Sequence, residues 1–247
     1  MRIRQIALVA QDLPAVRNQL FELLGLNDAF VDDNVGVFGL QNIVTTIGDT
    51  FLEVVSPIKI GTTAGRLLKR RGGDGGYMVI VQVEDIEQAR QWLADSDIRI
   101  VWEHTDGGAS GMHLHPRDVP GALPSLDSMD PPEAWYYAGP DWEQRAARYA
   151  SAITGAQVQV NDPVSAAERW SRAYNSAYTV REGIPVLALG DTEIRFIEIP
   201  NGRGEGLQAI DIRTEHIDVI REKARTLRLA TEGDSVTVCG TVLNFYQ

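Results

Sequence analysis

Internal repetition constrains the fold of this chain of 247 residues more than any other feature. Residues 3–10 are rich in Ile, Leu and Val and predict a buried strand. Asp12 then caps a helix with a single apolar face. The runs 41–47 and 50–56 predict the two strands of a tight hairpin. Strand, helix and further strands in this order indicate a βαβββ unit.

The same order returns after a Gly-rich connector at residues 72–76. A strand at 77–83 precedes a helix capped by Asp85, and Gly and Pro then separate three short strand candidates. The connector precedes a strand and lacks a following GK[ST], so it does not match a phosphate-binding loop. We expect it to join two modules.

A third and a fourth copy follow, beginning near residues 157 and 207. The triplet Gly190-Asp191-Thr192 repeats Gly48-Asp49-Thr50, and both triplets lie between two apolar strands. The identity of three residues supports the repeat because the two triplets occupy the same position in their modules. We therefore predict an α+β protein of four βαβββ modules grouped in pairs.

The pairs define two domains, at residues 1–128 and 150–247. Between them, 129–149 forms a Pro- and aromatic-rich linker whose aromatic side chains pack onto a neighbouring surface. The alanine-rich stretch 141–154 predicts a helix at the end of this linker. A second domain of this kind supplies pairing surface, and a homodimer is the one assembly considered for the chain.

Charge and cysteine content exclude several classes of partner and cofactor. The chain has 23 basic and 34 acidic residues, a formal charge of −11, and its densest basic run is Lys69–Arg71. Nucleic-acid binding is therefore not expected. The single cysteine, Cys239, excludes an internal disulfide and multi-cysteine metal sites, and we expect a buried, inert thiol.

Membrane association and secretion are not expected either. The apolar run 6–10 is too short for a signal peptide, and no stretch approaches the roughly 18 apolar residues that a membrane span needs. We expect a cytoplasmic protein.

Four segments together resemble the vicinal oxygen chelate superfamily, which contains glyoxalase and bleomycin-resistance proteins. They lie at 5–13, 48–57, 63–86 and 115–123. The resemblance covers nearly all of residues 1–128 and extends more faintly over 150–247. It implies two glyoxalase-like domains, in which paired modules surround a U-shaped cleft.

In that family the cleft commonly holds a divalent metal through four strand residues. The resemblance places these positions at Gln5, Glu53, Met78 and Ser125. Glu53 is a proper ligand and Gln5 a weak one, whereas Met78 and Ser125 are poor partners for the metals involved. The matching positions in the second domain fall at about Gly155, Arg195, Leu207 and Asn244. We therefore expect no metal cofactor in either domain.

Glu53 is the strongest candidate for a functional residue. It interrupts an apolar strand, and the alternation of side chains places it on one face with Phe51 and Val55. A buried carboxylate with a raised pKa can abstract a proton next to a carbonyl group. Alternatively, Glu53 lies at an edge of the sheet or serves as an ion-pair partner.

The histidines offer a second arrangement for a metal. His113 and His115 are two residues apart and share a face if both lie on a strand, so with Glu53 they form two imidazoles and a carboxylate. Alternatively, His115 hydrogen-bonds in the pocket or braces the hairpin, while His113 faces solvent. His104, in a polar loop at 103–110, and His216 are expected at the surface.

The remaining pocket candidates are Tyr77, Met78 and Trp102, which are suited to line an apolar cleft. Three functional classes follow. The first is a small-molecule-binding protein without the usual metal. Its expected ligand contacts are Gln5, Glu53, Tyr77, Met78, Trp102, His113, His115 and Ser125. The second is a lyase or isomerase that acts on an α-oxygenated carbonyl compound with Glu53 as base. The third is a scaffold that keeps only the fold.

Overall fold

The computed structural model describes residues 1–247 as two mixed β-sheets and five α-helices. The first sheet contains β1 (Arg2–Val9), β2 (Leu40–Ile47), β3 (Thr50–Pro57), β4 (Gly75–Gln82), β5 (Ile100–Asp106), β6 (Ala109–Leu114) and β7 (Leu123–Met129). Its strand order is β2-β3-β1-β4-β7-β6-β5. The helices of this half are α1 (Leu13–Leu24), α2 (Thr63–Arg71) and α3 (Ile86–Ala94).

The second sheet repeats this arrangement with eight strands. They are β8 (Ala152–Val160), β9 (Tyr178–Arg181), β10 (Ile184–Leu189), β11 (Thr192–Glu198), β12 (Gly206–Arg213), β13 (Thr231–Glu232), β14 (Ser235–Val238) and β15 (Thr241–Tyr246), in the order β13-β14-β15-β12-β8-β11-β10-β9. Helices α4 (Pro163–Ala173) and α5 (Ile217–Thr226) complete it. The predicted α+β class is confirmed.

Strand pairing confirms that the modules are grouped in pairs. In every module the first strand pairs in parallel with the last one, as β1 does with β3 and β8 with β11. The two modules of a sheet meet through their first strands, β1 with β4 and β8 with β12, both antiparallel. Each half therefore has two similar arms that meet at its centre.

The first module is shorter than the predicted βαβββ unit. Its expected edge strand is reduced to one bridge between Phe30 and Val44, followed by a 3₁₀ segment at Asp33–Phe38. Asp32 caps this segment by accepting the backbone N–H of Asn34 at 2.9 Å. The chain thus leaves the sheet early, and the segment becomes free to cover the sheet face.

Helix ends follow the signals in the sequence. The Asp12 carboxylate accepts the Ala15 N–H at 3.0 Å, and the Asp162 carboxylate accepts the Ser165 N–H at the same distance. Gly25 ends α1 in the left-handed conformation, with φ of 68°. No helix of the chain combines the length and the apolar content needed to cross a membrane.

The helix predicted over 141–154 does not form. Only Trp142–Arg145 is helical, as a short 3₁₀ turn, and β8 already begins at Ala152. Between these elements, the Ala147 N–H donates to Thr46 O at 2.8 Å and the Tyr149 N–H donates to Leu24 O at 3.0 Å. These backbone groups bond to other elements instead of to a helical turn, so tertiary contacts override the helix propensity of the alanines.

The repeated Gly-Asp-Thr turns join the two halves. The Thr50 hydroxyl accepts the Ile153 N–H at 2.8 Å, and the Thr192 hydroxyl accepts the Ile3 N–H at 2.8 Å. The cluster of buried apolar residues beneath them is continuous and includes residues of both sheets. The halves therefore share one core, related by an approximate two-fold symmetry.

Candidate functional site

Six of the sequence-predicted site residues share one face of the first sheet. Across the strands, Glu53 lies opposite Ala7, which lies opposite Met78. The neighbouring row runs through Gln5, Ser125, His113 and Trp102. Directly opposed residues of paired strands point to the same face. The register of the sheet therefore brings these side chains together on one face, which we call the cleft face.

Glu53 is buried on this face and has only neutral partners. Gln5 Nε2 donates to Glu53 Oε2 at 2.9 Å, and Asn42 Nδ2 donates to Glu53 Oε1 at 2.6 Å. The residue is 6% exposed, and no cationic side chain contacts its carboxylate. Burial raises the pKa of Glu53 to about 7, against the opposing effect of the Asn42 and Gln5 hydrogen bonds. Glu53 can therefore accept or hold a proton near neutral pH.

The linker contributes the wall that shields Glu53. Trp135 is fully buried, and its indole N–H donates to Gln5 Oε1 at 2.8 Å. Its ring stacks on Phe51 at a centroid distance of 6.0 Å, and Trp142 meets the same Phe51 ring edge-on at 5.2 Å. The linker aromatics thus pack on the cleft face, as the sequence predicts for this segment.

The donor set of the cleft does not fit the metal associated with this fold. Gln5 Oε1 is occupied by Trp135, both Glu53 oxygens accept amide N–H groups, and Ser125 donates to Asp127. Met78 offers only a thioether. The structure contains no cluster of three or more His, Cys, Asp and Glu side chains that suits a metal. The alternative set of Glu53, His113 and His115 is likewise not assembled.

His115 lies outside this cluster. It follows the last residue of β6, so it does not share the strand face of His113. Its Nδ1 accepts the Arg117 N–H at 3.1 Å and lies 3.3 Å from Arg99 Nη2. Arg99 in turn holds Asp118 at 2.6 Å. His115 therefore stabilises the turn after β6. This agrees with the structural alternative, in which His115 braces the hairpin.

His113 and Trp102 form one edge of the cleft together with Phe38. The Trp102 ring lies 4.5 Å from the His113 ring, and Phe38 lies 5.0 Å from Trp102 and 5.7 Å from His113. Phe38 belongs to the 3₁₀ segment of the first module, whereas the other two belong to β5 and β6 of the second. The three rings therefore join the two arms. Burial and the nearby His104 lower the pKa of His113 to about 4, so it is neutral at pH 7.

His104 is not in a surface loop, contrary to the sequence-based expectation. Strands β5 and β6 continue to Asp106 and from Ala109, so the predicted polar loop at 103–110 is a hairpin with a two-glycine turn. The four residues 103–106 are all polar and two glycines follow them, a pattern that is typical of a loop. His104 Nε2 lies 2.9 Å from Tyr137 Oη, and its ring stacks at 4.5 Å from Trp102.

Asp127 and Tyr137 are site residues that the sequence-based predictions do not include. The Asp127 carboxylate is buried, accepts the Tyr137 hydroxyl at 3.0 Å and is also bonded by the Ser125 hydroxyl. Burial raises the pKa of Asp127 to about 7, while the hydrogen bonds from Ser125 and Tyr137 oppose the shift. Asp127 lies two residues beyond Ser125 on β7, so the alternation of the strand places it on the same face.

Two predicted pocket residues have more limited roles. Tyr77 is buried in the apolar cluster of this face, and burial together with the charge of Glu53 raises its pKa to about 12. Met78 packs in the same cluster.

Cys239 is a buried thiol, as expected. It lies in the turn after β14, and burial raises its pKa.

The corresponding face of the second half carries a different arrangement. Register places the equivalent of Met78 at Ala209, so the predicted position at Leu207 is wrong by two residues. Arg195 lies at the counterpart of Glu53 and forms an ion pair with Asp211 at 2.6 Å. Asn244 Nδ2 donates to the same carboxylate at 3.0 Å. An arginine in an ion pair thus stands where the first half has the buried acid Glu53.

Comparison with known proteins supports the fold and gives a partial sequence match. No protein-family model matches the chain. It is 27% identical over 132 residues to an ethylmalonyl-CoA/methylmalonyl-CoA epimerase of Cereibacter sphaeroides, a match that covers 52% of this chain and 98% of the relative. It is 28% identical over 131 residues to the mitochondrial methylmalonyl-CoA epimerase of Bos taurus, covering 51% of this chain and 73% of the relative.

Two solved structures match nearly the whole chain. A variant of 4-hydroxymandelate synthase from Streptomyces coelicolor superposes with a TM-score of 0.70 at 15% identity, covering 93% of this chain and 75% of the synthase. A hypothetical protein from Staphylococcus aureus gives a TM-score of 0.69 at 13% identity, covering 99% and 98%. These two matches confirm the predicted fold, a glyoxalase-like arrangement of two domains.

Proposed function

We propose that the cleft of residues 1–128 binds a small molecule without a metal ion, and that residues 150–247 form a structural half. The observation that supports this proposal is the pair of buried carboxyl groups, Glu53 and Asp127, on one face of the first sheet. Both are held by neutral donors rather than by a cation. Buried, uncompensated acids in a cleft lined with aromatic rings are typical of ligand sites.

Access to this site requires movement of the covering side chains. Trp135 shields Glu53 on the linker side, and Phe38 joins the two arms on the other. Phe38 is 37% exposed, whereas Trp135 is fully buried, so the Phe38 side chain is the easier of the two to displace. We therefore place the entrance at Phe38, Trp102 and His113.

A second candidate function is an isomerase of the epimerase type, which the similarity to the two curated epimerases favours. In this function Glu53 takes the proton from a carbon next to a carbonyl group, and the configuration inverts when a second acid returns a proton to the opposite face of that carbon. The pKa of Glu53, about 7, suits the first step, because part of the group is ionised at neutral pH. Asn42 and Gln5 hold the carboxylate in position, and Trp135 fixes Gln5.

Hydrogen–deuterium exchange separates these functions. The protein is incubated with methylmalonyl-CoA in deuterated buffer, and loss of the α-proton is followed by proton NMR. Exchange in the native protein that falls at least about 100-fold in Glu53→Gln supports the isomerase, since general-base catalysis contributes about that much. The control is Glu84→Gln, an exposed carboxylate outside the cleft.

Binding without exchange supports the simpler proposal. Resonances of Trp102 and His113 should then shift on titration with the ligand, and the shifts should weaken in Glu53→Gln but not in Glu84→Gln. A protein whose cleft resonances respond to no member of a panel of small carbonyl compounds and thioesters contradicts both functions and favours the scaffold.

Metal analysis of protein purified without chelator tests the metal-free part. We expect no stoichiometric divalent metal, because the oxygens near Glu53 are engaged in hydrogen bonds. One equivalent of metal that disappears in Glu53→Ala would overturn that part of the proposal.

A further inference from the structure

Three titratable side chains from distant parts of the chain meet at one point of the cleft. Asp127 lies on β7, His104 on β5, and Tyr137 comes from the linker. Tyr137 Oη is 3.0 Å from Asp127 Oδ1 and 2.9 Å from His104 Nε2. Tyr137 thus bridges the Asp127 carboxyl group and the His104 imidazole, which form no direct hydrogen bond with each other.

The backbone beneath them leaves room for this contact. Gly111 lies opposite both Asp127 and His104 in the sheet. A Cβ at this glycine would overlap Asp127 Oδ1 and would lie 2.8 Å from His104 Cε1 and 3.0 Å from Tyr137 Oη. Only a residue without a side chain admits all three groups, so Gly111 forms the floor of the cluster.

Hydrogen-bond chemistry fixes the direction of the chain when Asp127 is ionised. A carboxylate only accepts, so the Tyr137 hydroxyl donates to Asp127. Tyr137 Oη must then accept from His104, which places the imidazole proton on Nε2. His104 is neutral, because burial lowers its pKa against the opposing charges of Asp106 and Asp32. Its Nδ1 is therefore an acceptor, and it is a buried atom without a hydrogen-bond partner.

We propose that Asp127, Tyr137 and His104 form a proton relay, in which Asp127 stores a proton and His104 Nδ1 exchanges it with the occupant of the cleft. The proposal deepens the proposed function and rests on its cleft. A proton that arrives at Nδ1 displaces the Nε2 proton to Tyr137 Oη, and the Tyr137 hydroxyl proton passes to Asp127. Each group regains a neutral form, and the net change is one proton gained by the carboxylate.

The relay gives the cleft a second acid–base group besides Glu53. The phenolate of Tyr137 is not an intermediate, because burial and the Asp127 charge raise the pKa of Tyr137 far above its ordinary range. The two proton movements at Tyr137 therefore occur together. His104 is half-buried and stacked on Trp102, so its ring is held in one orientation at the edge of the cluster.

Nitrogen NMR of the His104 ring tests the relay in the ligand-free protein. At pH 8 we expect Nε2 protonated and Nδ1 unprotonated, seen as one pyrrole-like and one pyridine-like shift. On lowering the pH, the His104 nitrogen shifts should also follow the titration of Asp127, since coupled groups share their titration steps. A ring with Nδ1 protonated at pH 8 would overturn the proposal without any variant.

Two conservative variants complete the test. Tyr137→Phe should remove the Asp127 step from the His104 titration while the Asp127 carboxyl carbon still titrates, and Asp127→Asn should remove the step at both sites. Ser128→Ala, on the same strand, should leave it in place. An unchanged His104 titration in Tyr137→Phe contradicts the relay. These readouts need no substrate, so their failure is distinct from a failure to exchange deuterium with methylmalonyl-CoA.

Discussion

Thr50 and Thr192 make the same contact from opposite halves of the protein. Each hydroxyl accepts a backbone N–H from the first strand of the other half, at 2.8 Å, and donates to a carbonyl of its own hairpin turn, Ile47 or Leu189. The glycine two residues earlier allows the approach, since a Cβ at Gly48 would overlap Ser151 O. The repeated triplet thus has a structural reason: it is the contact by which two similar halves hold each other.

Replacing either threonine by valine should destabilise the whole fold. The change keeps the shape but leaves a buried backbone N–H without an acceptor, at a cost of about 1–3 kcal/mol in the free energy of unfolding. Urea denaturation of Thr50→Val and Thr192→Val should show similar losses. Thr179→Val, at an exposed strand position, is the control. A loss confined to one of the two variants would contradict the equivalence of these contacts.

The stabilising contribution of Glu53 and Asp127 should fall as the pH rises from about 4 to about 7. The pKa values of both groups are raised in the folded protein, so these two side chains bind more protons there than in the unfolded chain within this window. Their stabilising contribution is complete at low pH and lost as each group ionises, at roughly 3 kcal/mol per group.

The difference in unfolding free energy between native protein and variant isolates this effect. For Glu53→Gln, which cannot ionise, the loss between pH 4 and pH 7 should be smaller by roughly 3 kcal/mol. Glu84→Gln should follow the native profile. Parallel profiles for native protein and Glu53→Gln would show that Glu53 ionises in the folded state as it does in water.

Removing the Phe38 ring should open the edge of the cleft. In Phe38→Ala, water reaches the neighbouring imidazole, and the pKa of His113 should rise from about 4 toward its ordinary value. Proton NMR titration of the His113 ring measures the change, and we expect a rise of about one pKa unit or more. Val37→Ala alters a side chain that is already 75% exposed and should leave this pKa unchanged.

A methyl group at residue 111 should disrupt the cluster of Asp127, Tyr137 and His104. Gly111→Ala forces these side chains apart, with an expected cost of about 1–3 kcal/mol by thermal or urea unfolding. Gly202→Ala is a matched control, because a Cβ there meets no atom within 4 Å and its φ is not positive. Equal stability of both variants would contradict this prediction, because it would mean that a methyl group at residue 111 fits beside these three side chains.

Local patterns are sufficient to predict the repeat, the helix caps and the strand face that carries Glu53, whereas the positions of Gln5, Met78 and Ser125 follow from the family resemblance. Each local pattern depends on residues within one module, such as Asp12 for its helix or Glu53 for its strand. The linker was predicted less well, since Ala146 and Ala147 favour a helix but bond to neighbouring elements instead. Contacts between distant segments decide that outcome, and no local pattern encodes them.

The same limit explains the missed acid. Asp127 is a single carboxylate on a short strand, and its importance depends on partners about 10 and 23 residues away in sequence. A search for any acid on the strand face beside Ser125 would have found it, because side chains two apart share a face.

The joining of both halves in one chain has a consequence for how the clefts differ. In a symmetric dimer of single halves, every substitution appears twice, so both clefts change together. Here a carboxylate stands at residue 53 and a guanidinium at its counterpart, residue 195. Covalent linkage lets one copy keep its buried acids while the other fills the same place with an ion pair. One copy is thereby free to change its chemistry, and the other maintains the shared interior.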